Sequence, residues 1–163
     1  MFGNRVKKKR LIYTILALVP FLTGGAFFEQ SSSKAKQGEV FFPEAGLRLL
    51  VEIAETERQR VQGLMHRPFL ASDKGMMFIF TQDAVQKVWM KNTLIALDIV
   101  FISAENEVVS IIQDLKPCLH MPCPVYSSNK KAKYMLEVNA GTIEKGGVFV
   151  GQTFIIDGGN KVK

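Results

Sequence analysis

The chain has 163 residues, 47% of them hydrophobic, which is enough for one domain with its own core. Its 21 Lys and Arg outnumber its 15 Asp and Glu, but five of the basic residues lie within residues 5–10 and no acid occurs before Glu29. The 16 basic residues that remain nearly balance the acids. This excludes the strongly basic domain that is typical of nucleic-acid-binding proteins.

The N-terminal segment has the pattern of an export signal. The basic cluster leads into an apolar run without charge, residues 11–28. Positive charge before such a run keeps the N-terminus in the cytoplasm and sends the following chain across the membrane. Residues 24–26 are small enough for a signal peptidase, while about 20 apolar residues also suffice to span a bilayer. We therefore predict that residues 1–28 are a signal peptide or membrane-anchor helix, and that the rest is extracytoplasmic, either periplasmic or on the cell surface.

A polar stretch follows the apolar run. Residues 29–38 (EQSSSKAKQG) are rich in Ser and Lys, as flexible linkers are. We predict a linker over residues 29–42, a folded domain over residues 43–158 and a C-terminal tail over residues 159–163.

A strand and a short helix begin the predicted domain. Apolar residues alternate with others from Leu47 to Ile53, the period-two pattern of a strand that buries one face. Thr56 is followed three residues later by Gln59, which is a capping-box pattern, so a helix should begin at Thr56. Pro68 should end it.

The rest of the chain has the pattern of short strands separated by turns. One helical turn is predicted within residues 141–147, and the predicted strands are residues 76–80, 85–90, 99–102, 108–112, 132–138 and 153–156. Many short strands favour a sandwich or barrel over a parallel α/β sheet. The predicted fold class is mostly β: a single sandwich-like or barrel-like domain with one or two short helices, preceded by the N-terminal signal or anchor helix.

Several short motifs occur in a fixed order. They are Gly63-Leu64-Met65 with Arg67, Gly75-Met76-Met77-Phe78, Trp89-Met90-Lys91-Asn92-Thr93, Leu97-Asp98-Ile99, Pro122-Cys123-Pro124 with Tyr126, and Gly141-Thr142. In this combination the chain resembles a bacterial and archaeal family called domain of unknown function 192, over roughly residues 47–156. The resemblance implies a mostly β, sandwich-like domain and transfers no catalytic or binding residue.

The segment around the only Trp of the chain is a candidate binding site. Trp89 and Lys91 should share one face of an extended segment, with Asn92 on the other. An aromatic ring beside an amine donor can hold a polar ligand by stacking and hydrogen bonds. The alternative is that Trp89 belongs to the core and Asn92 caps a turn.

Asp98 lies alone in an apolar run. It is costly to bury without a partner, so it should pair with a base or accept backbone amides. A structural ion pair is favoured over a catalytic acid, because no second acid has a spacing suited to paired-carboxylate chemistry. No catalytic residue is therefore predicted. The candidate bases are Arg60, Arg67 and Lys91, and the predicted ligand-binding residues are Trp89, Lys91, Asn92, Asp98 and Arg67.

Two cysteines form the other candidate site. Cys118 and Cys123 have four residues between them in a Pro-bounded loop, and in an oxidising compartment they are most simply a loop-closing disulfide. Free thiols in redox exchange are an alternative. A soft-metal site of Cys118, His120, Met121 and Cys123 is another, because thiolate, thioether and imidazole together suit Cu(I).

These patterns predict an exported or membrane-tethered domain that binds an unidentified ligand or protein in the cell envelope. It would contact the membrane through residues 1–28 if that segment is not cleaved. Nucleic acid is not expected because the charge beyond residue 10 is nearly balanced, and cofactors are not expected because no Gly-rich phosphate loop or dinucleotide fingerprint occurs. One alternative is an envelope hydrolase, which requires a titratable residue with a perturbed pKa in a cleft. Another is a redox or copper-handling protein that uses the two cysteines.

Overall fold

The computed structural model describes residues 35–157, which form seven strands and two short helices. The strands are β1 (Lys36–Phe42), β2 (Leu47–Ala54), β3 (Lys74–Trp89), β4 (Leu97–Ile102), β5 (Val108–Leu115), β6 (Val125–Asn139) and β7 (Ile155–Asp157), and the helices are α1 (Glu57–Gln62) and α2 (Thr142–Gly146). The prediction of a mostly β domain with short helices is confirmed. The predictions for residues 1–28 and 159–163 lie outside the described residues. Within residues 35–157, no helix is long and apolar enough to cross a membrane.

All seven strands belong to one sheet, in the order β5-β4-β6-β3-β2-β1-β7. Neighbours pair antiparallel except β2 and β3, which are parallel and are connected through α1. The strands thus form one sheet where a sandwich would have two. At one end the two edges of this sheet meet. There, Val108 at the start of β5 donates to the Gln152 carbonyl over 3.0 Å and accepts from the Gly151 amide over 2.8 Å, just before β7.

The sheet buries apolar side chains on both faces. Core 1, on one face, includes Val40, Phe42, Met77, Val100, Leu136, Val138 and Phe154. Core 2, on the other face, includes Leu64, Phe78, Val88, Met90, Ile99, Phe101 and Met135. The alternation of side chains along each strand explains this division, since Leu136 enters core 1 and its neighbour Met135 enters core 2. The core 2 face positions the candidate site.

Several element boundaries differ from the predictions. The strands predicted over residues 76–80 and 85–90 form the single strand β3, and β6 begins at Val125, well before the predicted start at residue 132. The polar start of residues 36–42 predicts a linker, yet they form β1, whose Val40 and Phe42 are fully buried. Thr56 caps α1, and both hydrogen bonds of the capping box with Gln59 are present, as predicted. The helix ends at Gln62, well before Pro68, because Gly63 adopts φ 46°, which favours glycine.

Candidate functional site

A cleft of about 250 Å³ lies between α1 and the core 2 face of the sheet. One wall is α1 and the turn after it, the floor is β3 and β6, and the rim is the end of β3 and the segment that follows. Representative lining residues are Arg60, Gly63 and Leu64 in the wall, Phe78, Met135 and Glu137 in the floor, and Lys87, Trp89 and Thr93 at the rim.

Arg60 holds the helical wall against the sheet. Its guanidinium donates to the carbonyl of Glu55 over 2.6 Å and to the carbonyl of Ile79 in β3 over 3.0 Å. Gly63 then lets the chain pass close to the sheet, because a Cβ there would lie 3.3 Å from the ring of Phe78. These contacts with β3 hold the helical wall of the cleft in place.

Glu137 is the buried carboxyl of this cleft. It lies opposite Met76 of β3 and Ile99 of β4, so its side chain points to the core 2 face. The residue is only 6% exposed, and burial raises the pKa of its carboxyl to about 8. Among the described residues, none lowers this pKa through a hydrogen bond or a charge. At neutral pH the carboxyl is mostly protonated, so it can both donate and accept a hydrogen bond.

Trp89 and Lys91 lie together at the surface. The Lys91 amine is 5.2 Å from the centre of the Trp89 ring, within cation–π range. Val88 belongs to core 2, so alternation turns the Trp89 side chain to the opposite face of β3, where it is 42% exposed. Trp89 thus borders the cleft without forming its floor. A ligand-binding role for these two residues stays a prediction.

The structure separates Asp98 from that pair. Asp98 is fully buried on the core 1 face, and its carboxylate accepts the amide of Asp114 over 2.9 Å and the amide of Ile143 over 3.1 Å. The structure therefore has backbone amides in place of the favoured ion pair with Arg60, Arg67 or Lys91. The Ile143 amide is in the first turn of α2, whose N-cap, Gly141, has no side chain to cap it, and Asp98 serves instead.

Arg67 and Asn92 also have structural partners. The Arg67 guanidinium makes two parallel hydrogen bonds to the Glu52 carboxylate, one of them 2.8 Å long. These bonds hold the pKa of Glu52 below its ordinary value and raise the pKa of Arg67. Asn92 occupies a turn at φ 55°, where its carbonyl accepts the His66 amide over 2.8 Å. The five predicted ligand-binding residues therefore do not form one cluster.

Cys118 and Cys123 are joined by a disulfide, with their Cα atoms 5.8 Å apart. The Cys118 amide donates to the Met90 carbonyl over 3.1 Å, and its carbonyl accepts the Asn92 amide over 3.0 Å. This fixes the disulfide loop against the end of β3. With both sulfurs bonded to each other, neither is a thiolate ligand. No group of three or more His, Cys, Asp or Glu side chains able to hold a metal occurs within residues 35–157.

Sequence reasoning missed Glu137. It is a lone acid in the apolar run Tyr134-Met135-Leu136-Glu137-Val138, the same signal that singled out Asp98. Thr93 belongs to the motif around Trp89 but not to the predicted ligand-binding residues, and it is 5% exposed at the rim of the cleft. Nothing in the sequence pattern indicated that α1 and β6 would enclose a cleft.

Comparison with known proteins gives a family and a fold. The profile of domain of unknown function 192, described as Uncharacterized ACR, matches residues 40–156. A crystal structure from Sinorhizobium meliloti 1021, described as a candidate transcription regulator, is 34% identical with a TM-score of 0.67, over 76% of this chain and 95% of that one. A protein of unknown function from Novosphingobium aromaticivorans DSM 12444 is 26% identical with a TM-score of 0.64, over 73% and 83%. A search of curated proteins found no match.

Proposed function

The chain belongs to the domain of unknown function 192 family, and we propose that it is an extracytoplasmic binding domain that takes a small uncharged polar ligand in the Glu137 cleft. One observation carries this proposal: the Glu137 carboxyl is buried, lines an open cleft and has no partner among the described residues. Because Glu137 lines the cleft, a ligand there can exchange hydrogen bonds with its carboxyl.

The size and charge of the cleft narrow the class of ligand. Its volume of about 250 Å³ is below the roughly 300–1,000 Å³ of sites for drug-sized molecules, so it suits one small ring or the end of a longer molecule. A protonated carboxyl matches a hydroxyl or an amide, which also donates and accepts. Arg60 and Lys87 outnumber the acid Glu57 in the lining, which disfavours a cation.

The extracytoplasmic location is part of the proposal. It is supported by the basic cluster and apolar run within residues 5–28, and by a disulfide, which persists in oxidising compartments. The Sinorhizobium protein is described as a candidate transcription regulator. A comparable role here would need a basic surface for DNA, which the nearly balanced charge beyond residue 10 does not favour.

A binding screen of the full-length protein in detergent tests the proposal. The panel contains monosaccharides and small amides, each with a carboxylate and an amine analogue. A neutral ligand should raise the unfolding temperature, because it binds only the folded state, and should change the emission of Trp89, the only Trp of the chain.

Three variants test whether binding depends on the Glu137 carboxyl. Glu137→Met fills the same space without hydrogen bonding and should abolish binding, whereas Glu137→Gln keeps a donor and an acceptor and should retain part of it. Phe149→Ala removes an exposed aromatic side chain that does not line the cleft, so it should bind normally. Binding that persists in a folded Glu137→Met protein would refute the assignment.

A second candidate function is a hydrolase with Glu137 as general acid. Its raised pKa in a cleft is the feature that such an enzyme requires. Glu57 of α1 lines the same cleft and offers a second carboxylate. Asp98 cannot act as this general acid, because it is fully buried on the core 1 face. Turnover of chromogenic glycosides or esters, lost in Glu137→Gln while binding persists, would favour the enzyme over the binding domain.

A further inference from the structure

The end of β3 and the start of β6 expose an apolar face on the side of the sheet away from the cleft floor, and Trp89 and Lys87 of this face also border the cleft rim. Trp89 lies directly opposite Val125, and Val85 lies opposite Lys131, so these side chains share the face turned away from core 2. Val85 is 51% exposed and Val125 is 60% exposed. We call this surface the hairpin face.

The disulfide loop extends the hairpin face. Its first cysteine, Cys118, is hydrogen-bonded to Met90 and Asn92, and its last is followed within two residues by Val125. Between the cysteines, Leu119 and Met121 are 56% and 63% exposed. Exposed apolar residues are usually scattered singly, whereas a group at one end of a domain is typical of an interaction site.

Lysines surround this apolar group. Lys87 lies between Val85 and Trp89 on the same face, Lys131 lies opposite Val85, and the Lys91 amine contacts the Trp89 ring. Residues 82–91 and 125–133 together hold five lysines and a single acid, Asp83. At the end of β5, Asp114 is paired with Lys116. The surface is therefore apolar at its centre and positive around it.

We propose that the hairpin face docks on an anionic lipid surface, with Trp89, Val125 and the tip of the disulfide loop among the lipid headgroups. Tryptophan prefers the interface between membrane and water, because its ring is apolar and its N–H needs a partner. Lysine stems lie along apolar surface while their amines reach phosphate. Separate apolar protrusions within a positive field match a lipid headgroup layer better than they match a groove-filling peptide. This inference does not depend on the cleft.

Trp89 itself supplies the test. The full-length protein is reconstituted into vesicles of phosphatidylcholine with or without phosphatidylglycerol, and the emission of Trp89 is recorded with brominated lipids as quenchers. Because Trp89 is the only Trp of the chain, the signal reports the hairpin face whatever else holds the protein to the vesicle. We expect a blue shift and strong quenching in anionic vesicles, both reduced by salt.

Lysine variants test whether the positive charge of the hairpin face brings Trp89 to the vesicle surface. Lys87→Gln combined with Lys131→Gln should weaken docking about 30-fold, since each lysine near an anionic surface contributes about fivefold. Lys74→Gln combined with Lys145→Gln removes the same charge elsewhere and should leave quenching unchanged.

Three outcomes would overturn the proposal. The first is absence of quenching in anionic vesicles. The second is a blue shift in lipid-free detergent that grows with protein concentration, which would assign the face to a second copy of the chain. The third is Trp89 quenching by a DNA duplex at physiological salt that the paired lysine variants abolish.

Discussion

Asp98 and Glu137 lie on adjacent strands one register step apart, and their carboxyl groups point to opposite faces of the sheet. Asp98 is paired with Val138, and Glu137 is paired with Ile99. On the core 1 face the Asp98 carboxylate accepts two backbone amides, whereas on the core 2 face Glu137 meets the cleft. Two acids in similar apolar runs therefore differ in role: the first holds the fold together, and the second is available to a ligand.

The raised pKa of Glu137 predicts a stability that falls as the pH rises. Its pKa is about 8 in the folded protein and ordinarily 4.5, so between these values the folded state binds more protons than the unfolded state. The free energy of unfolding should decrease from about pH 4.5 to about pH 8, by at most about 5 kcal/mol, and then level off. Denaturant titrations at pH 5, 7 and 9 measure this slope.

Two variants control the Glu137 measurement. Glu137→Gln cannot titrate and should lose the slope, whereas Glu107→Gln changes an exposed acid and should keep it. If the free energy of unfolding of Glu137→Gln still falls as the pH rises, the pH dependence comes from another group.

Replacing Asp98 should destabilise the fold strongly. Asp98→Ala leaves the amides of Asp114 and Ile143 without their acceptor, at a cost of about 3 kcal/mol. Urea unfolding monitored by circular dichroism gives the value. Asp83→Ala, which removes an exposed acid, should change stability by less than about 0.5 kcal/mol. If Asp98→Ala also lowers stability by less than about 0.5 kcal/mol, the structural role of Asp98 is contradicted.

The pair of Arg67 and Glu52 predicts a loss of stability in acid. The Arg67 hydrogen bonds lower the pKa of Glu52, so the stabilisation is present above the ordinary value of 4.5 and is lost as the pH falls through the lowered pKa. Both side chains are about one-third exposed, so solvent screening limits the contribution to about 1 kcal/mol. The free energies of unfolding of Arg67→Gln, Glu52→Gln and the double variant give the coupling energy of the pair. Arg58→Gln, which removes an exposed charge, is the control.

Reducing the disulfide should loosen the end of β3. Closing so short a loop contributes about 2 kcal/mol through the unfolded state. Because Cys118 is hydrogen-bonded to Met90 and Asn92, the emission of Trp89 should also change on reduction. The variant with Cys118→Ser and Cys123→Ser should match the reduced protein and should no longer respond to reductant. If reductant still changes the stability or the Trp89 emission of that variant, the change does not come from this disulfide.

Local patterns predicted much of the fold. The alternation from Leu47 to Ile53 appears as β2, and the capping box at Thr56 appears as the start of α1. These signals depend on neighbours within a few residues. The parallel pairing of β2 with β3 and the inclusion of residues 36–42 as a strand depend on contacts between distant segments, which periodicity does not encode.

The candidate site was less predictable for the same reason. The sequence indicated that Asp98 needs a partner, but its two donors are 16 and 45 residues away along the chain. Glu137 carries the same signal. Its availability depends on the wall that α1 builds across from β6, and only the tertiary structure shows that wall.

The pairing of β1 with β7 joins the two ends of the described domain. Glu39 is opposite Asp157, so the beginning of β1 and the end of β7 lie side by side at the edge of the sheet. A short peptide from Asp157 to Lys36 would bridge them, and the Pro43–Gly46 turn offers an exposed place for new termini. The domain is thus suited to circular permutation, in which β1 becomes the last strand of the chain while its neighbours in the sheet stay the same.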